Sequence, residues 1–236
     1  MRTVLVTGGA RRIGAAVCRE LAAAGWRVLI HANHSHAEAR SLASELGGRV
    51  IAPFDFAEAD SADRCFEAAL DAADGTLDAL VNNASIFGRS PLLDAGTEEF
   101  NRFWRVNTLA PITLTRRLAG HLRERGARGA VVQLLDQRIA RPGNGDVPYA
   151  LSKQALAAFT RAAAVELAPT LRVNGVAPGA VLPPEGVHEV AGAWPLGARA
   201  TAAQVASSVR FLLEAESVTG QILFADGGQH LLESTL

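Results

Sequence analysis

The chain has 236 residues, 49% of them apolar, and a formal net charge of −1 at pH 7. This length fits one domain, and the balanced charge argues against a nucleic-acid partner. The two cysteines do not make a disulfide framework, and the six histidines lack the spacing of metal ligands, so we expect no metal site. With neither a signal peptide nor an apolar run long enough to span a membrane, we expect a cytoplasmic protein with no membrane partner.

Short apolar runs alternate with amphipathic stretches along the whole chain. Nearly continuous apolar runs are typical of strands buried on both faces, and they occur at 3–7, 27–32, 49–54, 77–82, 130–135, 172–177 and 221–225. Helical spacing occurs between them, near 13–24, 36–46, 60–73, 98–125, 150–168 and 202–215. The alternation predicts an α/β fold, with one domain of residues 1–236 forming a doubly wound parallel sheet of about seven strands and helices on both faces.

The first predicted strand runs into a glycine-rich turn, from Gly8 to Gly14, that opens the first helix. At such a turn, backbone N–H groups and the positive end of the helix bind a pyrophosphate. The second strand ends in His-Ala-Asn-His-Ser, without the carboxylate that accepts from the ribose hydroxyls of NAD. Arg11 and Arg12 suit a 2′-phosphate instead, so we expect NADPH. The alternative is that both guanidinium groups face solvent.

Polar residues also follow the third and fourth predicted strands. Asp55 could accept a hydrogen bond from an adenine amine or could cap the next helix, and the sequence leaves both open. The run 83–85, Asn-Ala-Ser, offers small and amide side chains for close contact with a cofactor ribose. Both predictions place cofactor-binding groups at the C-terminal edge of the sheet.

The chain has one tyrosine and one lysine beside 22 arginines, and the two are four residues apart as Tyr149 and Lys153. On a helix these positions share a face. An ammonium group beside a phenol stabilises the phenolate, so we expect the pKa of Tyr149 to be lowered and the tyrosine to exchange a proton with a substrate. The alternative is a packed tyrosine beside a solvated lysine.

Several motifs recur in the order seen in the short-chain dehydrogenase/reductases, which the chain resembles over essentially its whole length. They are the glycine turn, Asn82-Asn83-Ala84, Asn107, Tyr149 with Lys153, Pro178-Gly179 and Asp226-Gly227-Gly228. The resemblance implies a single-domain Rossmann fold, an NAD(P) cofactor, a Tyr–Lys pair, and an asparagine whose backbone helps to hold a proton-relay water. The cofactor-binding residues expected in total are Gly8, Arg11, Arg12, Ile13, Gly14, Asn33, His34, Ser35, Asp55, Phe56, Asn83, Ala84, Ser85, Tyr149, Lys153, Pro178 and Gly179.

Asp136 stands where this family normally has a serine, at the end of the fifth predicted strand. A serine hydroxyl donates to a ketone oxygen as it becomes an oxyanion, whereas a carboxylate would repel that charge. A C=N bond gains a proton on nitrogen and develops no oxyanion, so Asp136 favours an imine in a nitrogen heterocycle. The alternative is a loop carboxylate that caps a backbone N–H.

The pteridine reductases are a branch of the family with the same substitution, and this chain also resembles them at Arg12, Ser85 and Phe87. The resemblance implies that Phe87 stacks on a pterin ring opposite the nicotinamide, which would fix the ring face towards the hydride. Otherwise Phe87 is a core aromatic. A substrate lid is expected at 179–200. The substrate-binding residues expected are Phe87, Asp136, Tyr149 and Trp194.

Together these features predict an NADPH-dependent reductase of a pterin-like substrate, a dihydropteridine with dihydrofolate as a further candidate. Catalysis is assigned to Tyr149 as proton donor, with Lys153, Asp136 and Asn107. Two alternatives stay open: a general carbonyl or 3-oxoacyl reductase of the same family, and a non-catalytic NADP(H)-binding redox sensor. The predicted helix 150–168 is apolar nearly all round, which predicts contact with a second subunit. The resemblance implies a homotetramer.

Overall fold

The computed structural model describes residues 1–51, 53–140, 143, 145–181 and 193–232. Within them, seven parallel strands form one sheet in the order β3-β2-β1-β4-β5-β6-β7. The doubly wound parallel sheet predicted from the alternating runs is confirmed. The strands are β1 (Thr3–Val6), β2 (Arg27–His31), β3 (Arg49–Ile51), β4 (Ala79–Asn82), β5 (Gly129–Leu134), β6 (Leu171–Pro178) and β7 (Ile222–Ala225).

Helices cover both faces of the sheet, which is why the strands are apolar throughout. In β1, Val4 and Val6 point into one core and Leu5 into the other. The first core is closed by α1 (Arg12–Ala23), α2 (His36–Leu46) and α7 (Ala202–Glu214). The second is closed by α3 (Ser61–Ala72), α5 (Ala110–Glu124) and α6 (Val147–Glu166).

The helical segment predicted near 98–125 is present, but it contains a π-helical turn that the spacing did not predict. The segment consists of α4 (Thr97–Trp104), a π-helical turn (Arg105–Leu109) and then α5. An α-helix would need the N–H of residue 111 to donate to the carbonyl of Asn107, but residue 111 is proline and has no N–H. The wider turn brings the Ala110 N–H to the carbonyl of Arg105 instead. Such π turns are frequent at functional sites.

The strand order places a crevice between β1 and β4. These two strands are neighbours, with Val6 opposite Val81, although β2 and β3 come between them in the chain. Connections leave β1 and β4 in opposite directions across the sheet, and ligands of α/β proteins bind outside the carboxyl ends of strands at that point. No helix in the described part of the chain is long and apolar enough to cross a membrane.

Candidate active site

A cleft of about 480 Å³ opens at the C-terminal ends of β1, β2 and β4, and we call it the glycine-turn cleft. Its lining includes Gly8 and residues 10–14, 33–35, 54–57 and 83–86. The cofactor residues predicted from the first four strands therefore meet in one place. The volume is within the range of small-molecule sites, about 300–1,000 Å³.

The conformation of the glycine turn is fixed by side chains from the neighbouring strand end. The Asn83 amide donates to the carbonyls of Thr7 and Gly8, both at 2.9 Å. The Thr7 hydroxyl oxygen in turn accepts from the backbone N–H groups of Asn83 and Ala84. A Cβ on Gly14 would lie 2.7 Å from the Asn83 amide nitrogen, so only glycine fits there. Asn83 thus holds the turn, a role that its predicted ribose contact did not anticipate.

His31, at the end of β2, was missed by the sequence reasoning. Its Nδ1 accepts from the Gly8 N–H at 3.1 Å, and its Nε2 lies 3.0 Å from the carbonyl oxygen of Phe54. These two contacts define the neutral tautomer, with the proton on Nε2. Burial lowers the pKa of His31 to about 4, against weaker opposing contributions from Phe54 and Asp55. The only available signal was its position at a strand end beside the turn, because its spacing from other histidines carries no information.

Three arginines line the cleft. Arg11 and Arg12 come from the glycine turn, and Arg102 of α4 comes from the opposite wall. Arg12 adopts a left-handed backbone conformation, φ 54°, which is uncommon for a residue with a side chain. Arg11 also lies 3.9 Å from Glu38, an exposed and therefore weak ion pair. Arg102 was missed because nothing in the sequence links α4 to the glycine turn.

Asp55 lies in the cleft lining and does not cap the next helix. Its Oδ1 accepts from the N–H of Ala57 at 2.9 Å, inside its own turn. The residue that precedes α3 is Asp60. The helix-cap alternative is therefore wrong. Phe56, which also lines the cleft, stacks on the His31 ring, with ring centres 4.5 Å apart.

A second group of polar residues surrounds the single tyrosine, and we call it the Asp136–Tyr149 cluster: Asp136, Arg138, Asp146, Tyr149 and Lys153. The Tyr149 hydroxyl donates to Asp136 Oδ2 at 2.8 Å. The other carboxylate oxygen, Oδ1, accepts from the backbone N–H of Arg138 at 2.9 Å. Asp136 thus contacts the tyrosine and also caps the short 3-10 turn Gln137–Ile139, as the alternative interpretation expected. Its preference for a C=N substrate stays a prediction.

The expectation that Lys153 lowers the pKa of Tyr149 is contradicted. Burial raises the pKa of Tyr149 well above 10.0, and the charge and hydrogen bond of Asp136 raise it further. The Lys153 ammonium group is buried and donates to the carbonyl of Leu134 at 2.8 Å. Burial lowers the pKa of Lys153 to about 8, although Asp136 opposes this. The phenol is therefore held protonated by a carboxylate, which the four-residue spacing could not reveal.

Asn107 is fully buried in the π turn and joins three segments. Its amide nitrogen donates to the carbonyl of Ile86 at 3.0 Å and to the Ser152 hydroxyl at 3.1 Å. Its amide oxygen accepts from the Ile86 N–H and from the Ser85 hydroxyl. Ser152 also donates to the Tyr149 carbonyl at 2.6 Å. Asn107 therefore connects the segment after β4, which lines the cleft, to α6, which carries the tyrosine.

Phe87 is 56% exposed, so the alternative of a core aromatic is wrong. Its ring meets the Tyr149 ring edge-on, with centres 4.9 Å apart. Trp194 packs elsewhere: its Cδ1 lies 3.2 Å from the position that a Cβ on Gly227 would occupy. Half of the predicted lid 179–200, residues 182–192, lies outside the described residues. The substrate contact of Trp194 stays a prediction.

Pro178 and Gly179 close the end of β6. Pro178 pairs with Ala225 of β7, and the Gly179 N–H donates to the Ala225 carbonyl at 3.3 Å. A Cβ on Gly179 would lie 2.8 Å from Asp226 Cβ, so the two strand ends can approach only with glycine there. These residues, like Tyr149 and Lys153, lie outside the lining of the glycine-turn cleft.

Residues 8–230 match a family model described as "Enoyl-(Acyl carrier protein) reductase". The chain belongs to the short-chain dehydrogenase/reductase family. The resemblance noted from the sequence is confirmed, and the protein is an NAD(P)-dependent oxidoreductase of the short-chain type.

Two curated members and one solved structure illustrate the similarity. Pteridine reductase 1 of Leishmania tarentolae is 32% identical, with 96% of both chains aligned. Carbonyl reductase family member 4 of Danio rerio is 33% identical, over 98% of this chain and 99% of the relative. FolM alternative dihydrofolate reductase 1 of Brucella suis, solved in complex with NADP, superposes with a TM-score of 0.89 at 36% identity. That superposition covers 99% of this chain and 97% of the other.

Proposed function

We propose that this short-chain reductase uses NADPH to reduce a C=N bond in a dihydropteridine ring, with Tyr149 as the proton donor. The observation that carries the proposal is the hydrogen bond from the Tyr149 hydroxyl to Asp136, at 2.8 Å, where the family normally has a serine. An anionic neighbour disfavours an oxyanion product and tolerates protonation of a ring nitrogen. Exposed Phe87, 4.9 Å from the tyrosine ring, supplies a flat wall for a heterocycle.

The glycine-turn cleft supports NADPH as the cofactor. The close fit of Gly14 against Asn83 brings the backbone near enough for a pyrophosphate, which would bind at the N-terminus of α1. The run after β2, residues 31–35, lacks a carboxylate, and Arg11, Arg12 and Arg102 bring positive charge to the same cleft. Guanidinium groups bind phosphate in a bidentate manner, so these residues fit a 2′-phosphate better than two ribose hydroxyls.

When bound, NADPH supplies a hydride that forms a C–H bond at the carbon of the C=N group. Tyr149 supplies the proton that completes the N–H bond, because its raised pKa keeps it protonated at neutral pH. The phenolate left behind must regain a proton, and Lys153 is the group of the same cluster that can lose and regain one, because burial lowers its pKa to about 8. We assign to the Asn107 backbone the relay water that the family resemblance implies, since its carbonyl cannot accept from Pro111, which has no N–H.

NADPH oxidation is the direct test, with dihydrobiopterin, dihydromonapterin, dihydrofolate and a panel of ketones as substrates. We expect turnover with at least one dihydropterin and a higher kcat/KM for it than for any ketone. Asp136→Ser should lower pterin turnover and raise ketone turnover. Ketone reduction that exceeds pterin reduction in the wild type would instead favour a general carbonyl reductase, which the similarity to the Danio rerio relative makes the competing candidate.

We also propose that the protein assembles as a homo-oligomer through α6. Leu151, Ala158, Ala162 and Val165 are exposed and recur at helical spacing along one face of this helix. An apolar stripe of this kind fits a second copy of the same helix. Light scattering should give at least a dimer, and Val165→Glu should weaken it. A monomer at all concentrations would contradict the proposal.

A further inference from the structure

Arg138 contacts most of the Asp136–Tyr149 cluster although no sequence motif marked it. Besides its backbone N–H, its Nη1 donates to Asp136 Oδ1 at 3.3 Å, and its Nε donates to Asp146. Its guanidinium carbon lies 5.2 Å from the centre of the Phe87 ring and 5.8 Å from that of Tyr149. One planar cation therefore joins two carboxylates and two aromatic rings.

Asp146 accepts a hydrogen bond from this guanidinium. It is 1% exposed, and among the described residues its Oδ1 has no hydrogen-bond partner. Within the described part of the chain, Arg138 Nε is the side-chain donor to this buried carboxylate. A buried charge needs such a partner, so the pair restrains both side chains.

Gly143 provides a second, independent restraint. A Cβ at this position would lie 2.5 Å from Asp146 Oδ2 and 3.0 Å from Arg138 Nε. The backbone therefore runs directly against the ion pair, and any side chain would displace it. The Asp146 carboxylate and the Gly143 backbone therefore both limit where the guanidinium can lie.

We propose that Arg138 is the positioning residue of the reaction centre. By occupying Asp136 Oδ1 it turns Oδ2 towards the Tyr149 hydroxyl, and by lying over Phe87 it holds the aromatic wall beside that hydroxyl. The kinetic consequence rests on the proposed function, whereas the geometry can be tested without a substrate. Among the residues that the structure describes, the charged and titratable groups that contact or act on Asp136 are Tyr149 and Lys153 of α6 and Arg138, which also pairs with Asp146.

The single tyrosine allows a test without substrate. In protein labelled with ¹³C at tyrosine Cζ, the one resonance reports the hydrogen bond of Tyr149 to Asp136. In Arg138→Met this resonance should move at pH 7 towards that of Asp136→Asn. Arg138→Lys, which keeps a cationic donor, should stay nearer to the wild type. A resonance that does not move in Arg138→Met would overturn the proposal.

Two further variants guard against a failure to fold, because Arg138→Met leaves Asp146 buried without its partner. Arg138→Met combined with Asp146→Asn removes both charges together. Gly143→Ala keeps both charges and displaces them, since its Cβ would meet both side chains. We expect the Cζ resonance to move in the same direction in both variants, provided that circular dichroism shows them folded. An unchanged resonance in either folded variant would count against the positioning role.

Separate values of kcat and KM for a dihydropterin test the kinetic consequence. Without the guanidinium, Asp136 and Phe87 lose the group that places them beside the Tyr149 hydroxyl, so kcat should fall while the KM for NADPH stays close to that of the wild type. Arg138→Lys should restore most of the wild-type kcat. The matched control is Arg117→Met. Arg117 also lies over a phenylalanine ring, 5.3 Å from that of Phe66, and pairs with Asp63, but it lies on the α3–α5 surface. The kcat and KM of this variant should be those of the wild type.

The two possible failures are distinguishable. If the wild type reduces no dihydropterin, the proposed function is wrong, and the Cζ resonance still decides whether Arg138 positions Asp136. If the wild type reduces dihydropterins and neither the resonance nor kcat changes in Arg138→Met, the positioning role alone is wrong.

Discussion

In the glycine-turn cleft, neutral side chains hold the backbone: the His31 imidazole accepts from the Gly8 N–H, and the Asn83 amide donates to the turn carbonyls. In the Asp136–Tyr149 cluster, charged side chains hold one another, with the Arg138 guanidinium between Asp136 and Asp146. The first arrangement fixes the backbone of the turn that brings Arg11 and Arg12 into the cleft lining. In the second arrangement the charged groups pair with one another, and this pairing orients the hydroxyl proton of Tyr149.

The largest effect is expected from Tyr149→Phe, which separates the two regions. Turnover should fall by about 10²- to 10⁴-fold, because the proton donor is lost. NADPH binding, measured by fluorescence, should stay close to that of the wild type, since Tyr149 lies outside the cleft lining. A comparable loss of binding would mean that the two regions are not separable as described.

A second effect concerns the neutral histidine of the cleft. The His31 imidazole takes up a proton near pH 6.5 in the unfolded chain but only near pH 4 in the folded chain. The stability that depends on a neutral His31 is therefore complete above pH 6.5 and is lost as pH falls towards 4. At ~1.4 kcal/mol per pH unit, the free energy of unfolding should fall by about 3 kcal/mol between pH 6.5 and pH 4.

His31→Gln should remove this part of the acid dependence, because glutamine does not titrate. Urea unfolding of both proteins between pH 4 and 7 is the measurement. His34→Gln, at an exposed position of the same turn, is the matched control and should leave the pH dependence of the unfolding free energy unchanged. An equal pH dependence in the wild type and in His31→Gln would contradict a neutral, buried imidazole.

The smallest effect is expected from Arg12→Gly. Glycine adopts the left-handed conformation of Arg12 freely, so this change removes the guanidinium group without adding backbone strain. The KM for NADPH should rise by about 10- to 100-fold, as expected for a lost charged hydrogen bond, and the KM for NADH should change little. Arg19→Ala, which breaks an exposed ion pair with Glu45 on the outer side of α1, is the control. A parallel rise for NADH would contradict recognition of a 2′-phosphate.

Much of the fold and of the cleft could be predicted because local patterns determine them. Short continuous apolar runs that alternate with helical spacing are typical of strands buried on both faces, and the glycines from Gly8 to Gly14 follow the first of these runs and open the first helix. Asp136 could be singled out for the same reason, as a departure from a motif at a fixed place. Its contact with Tyr149 follows from the strand and helix that carry them.

The remainder could not be predicted because it depends on contacts between distant segments. The π-helical turn inside the helical segment predicted near 98–125 was not predicted; Pro111, which has no N–H, leaves the carbonyl of Asn107 without its α-helical donor. The predicted sign of the Tyr149 pKa change was wrong because spacing identified Lys153 as a neighbour but could not reveal that its proton points to Leu134. Arg138 and Asp146 have no motif, and only the folded chain brings them together.

The most direct test of the account is the titration of the one tyrosine, followed by ¹³C NMR of labelled Cζ. We expect the wild-type resonance to stay at the phenol position up to and beyond pH 10, because burial and Asp136 hold the proton on Tyr149. In Asp136→Asn the midpoint should move to lower pH. A wild-type midpoint well below 10, unaffected by Asp136→Asn, would contradict a phenol that is held protonated by its carboxylate neighbour.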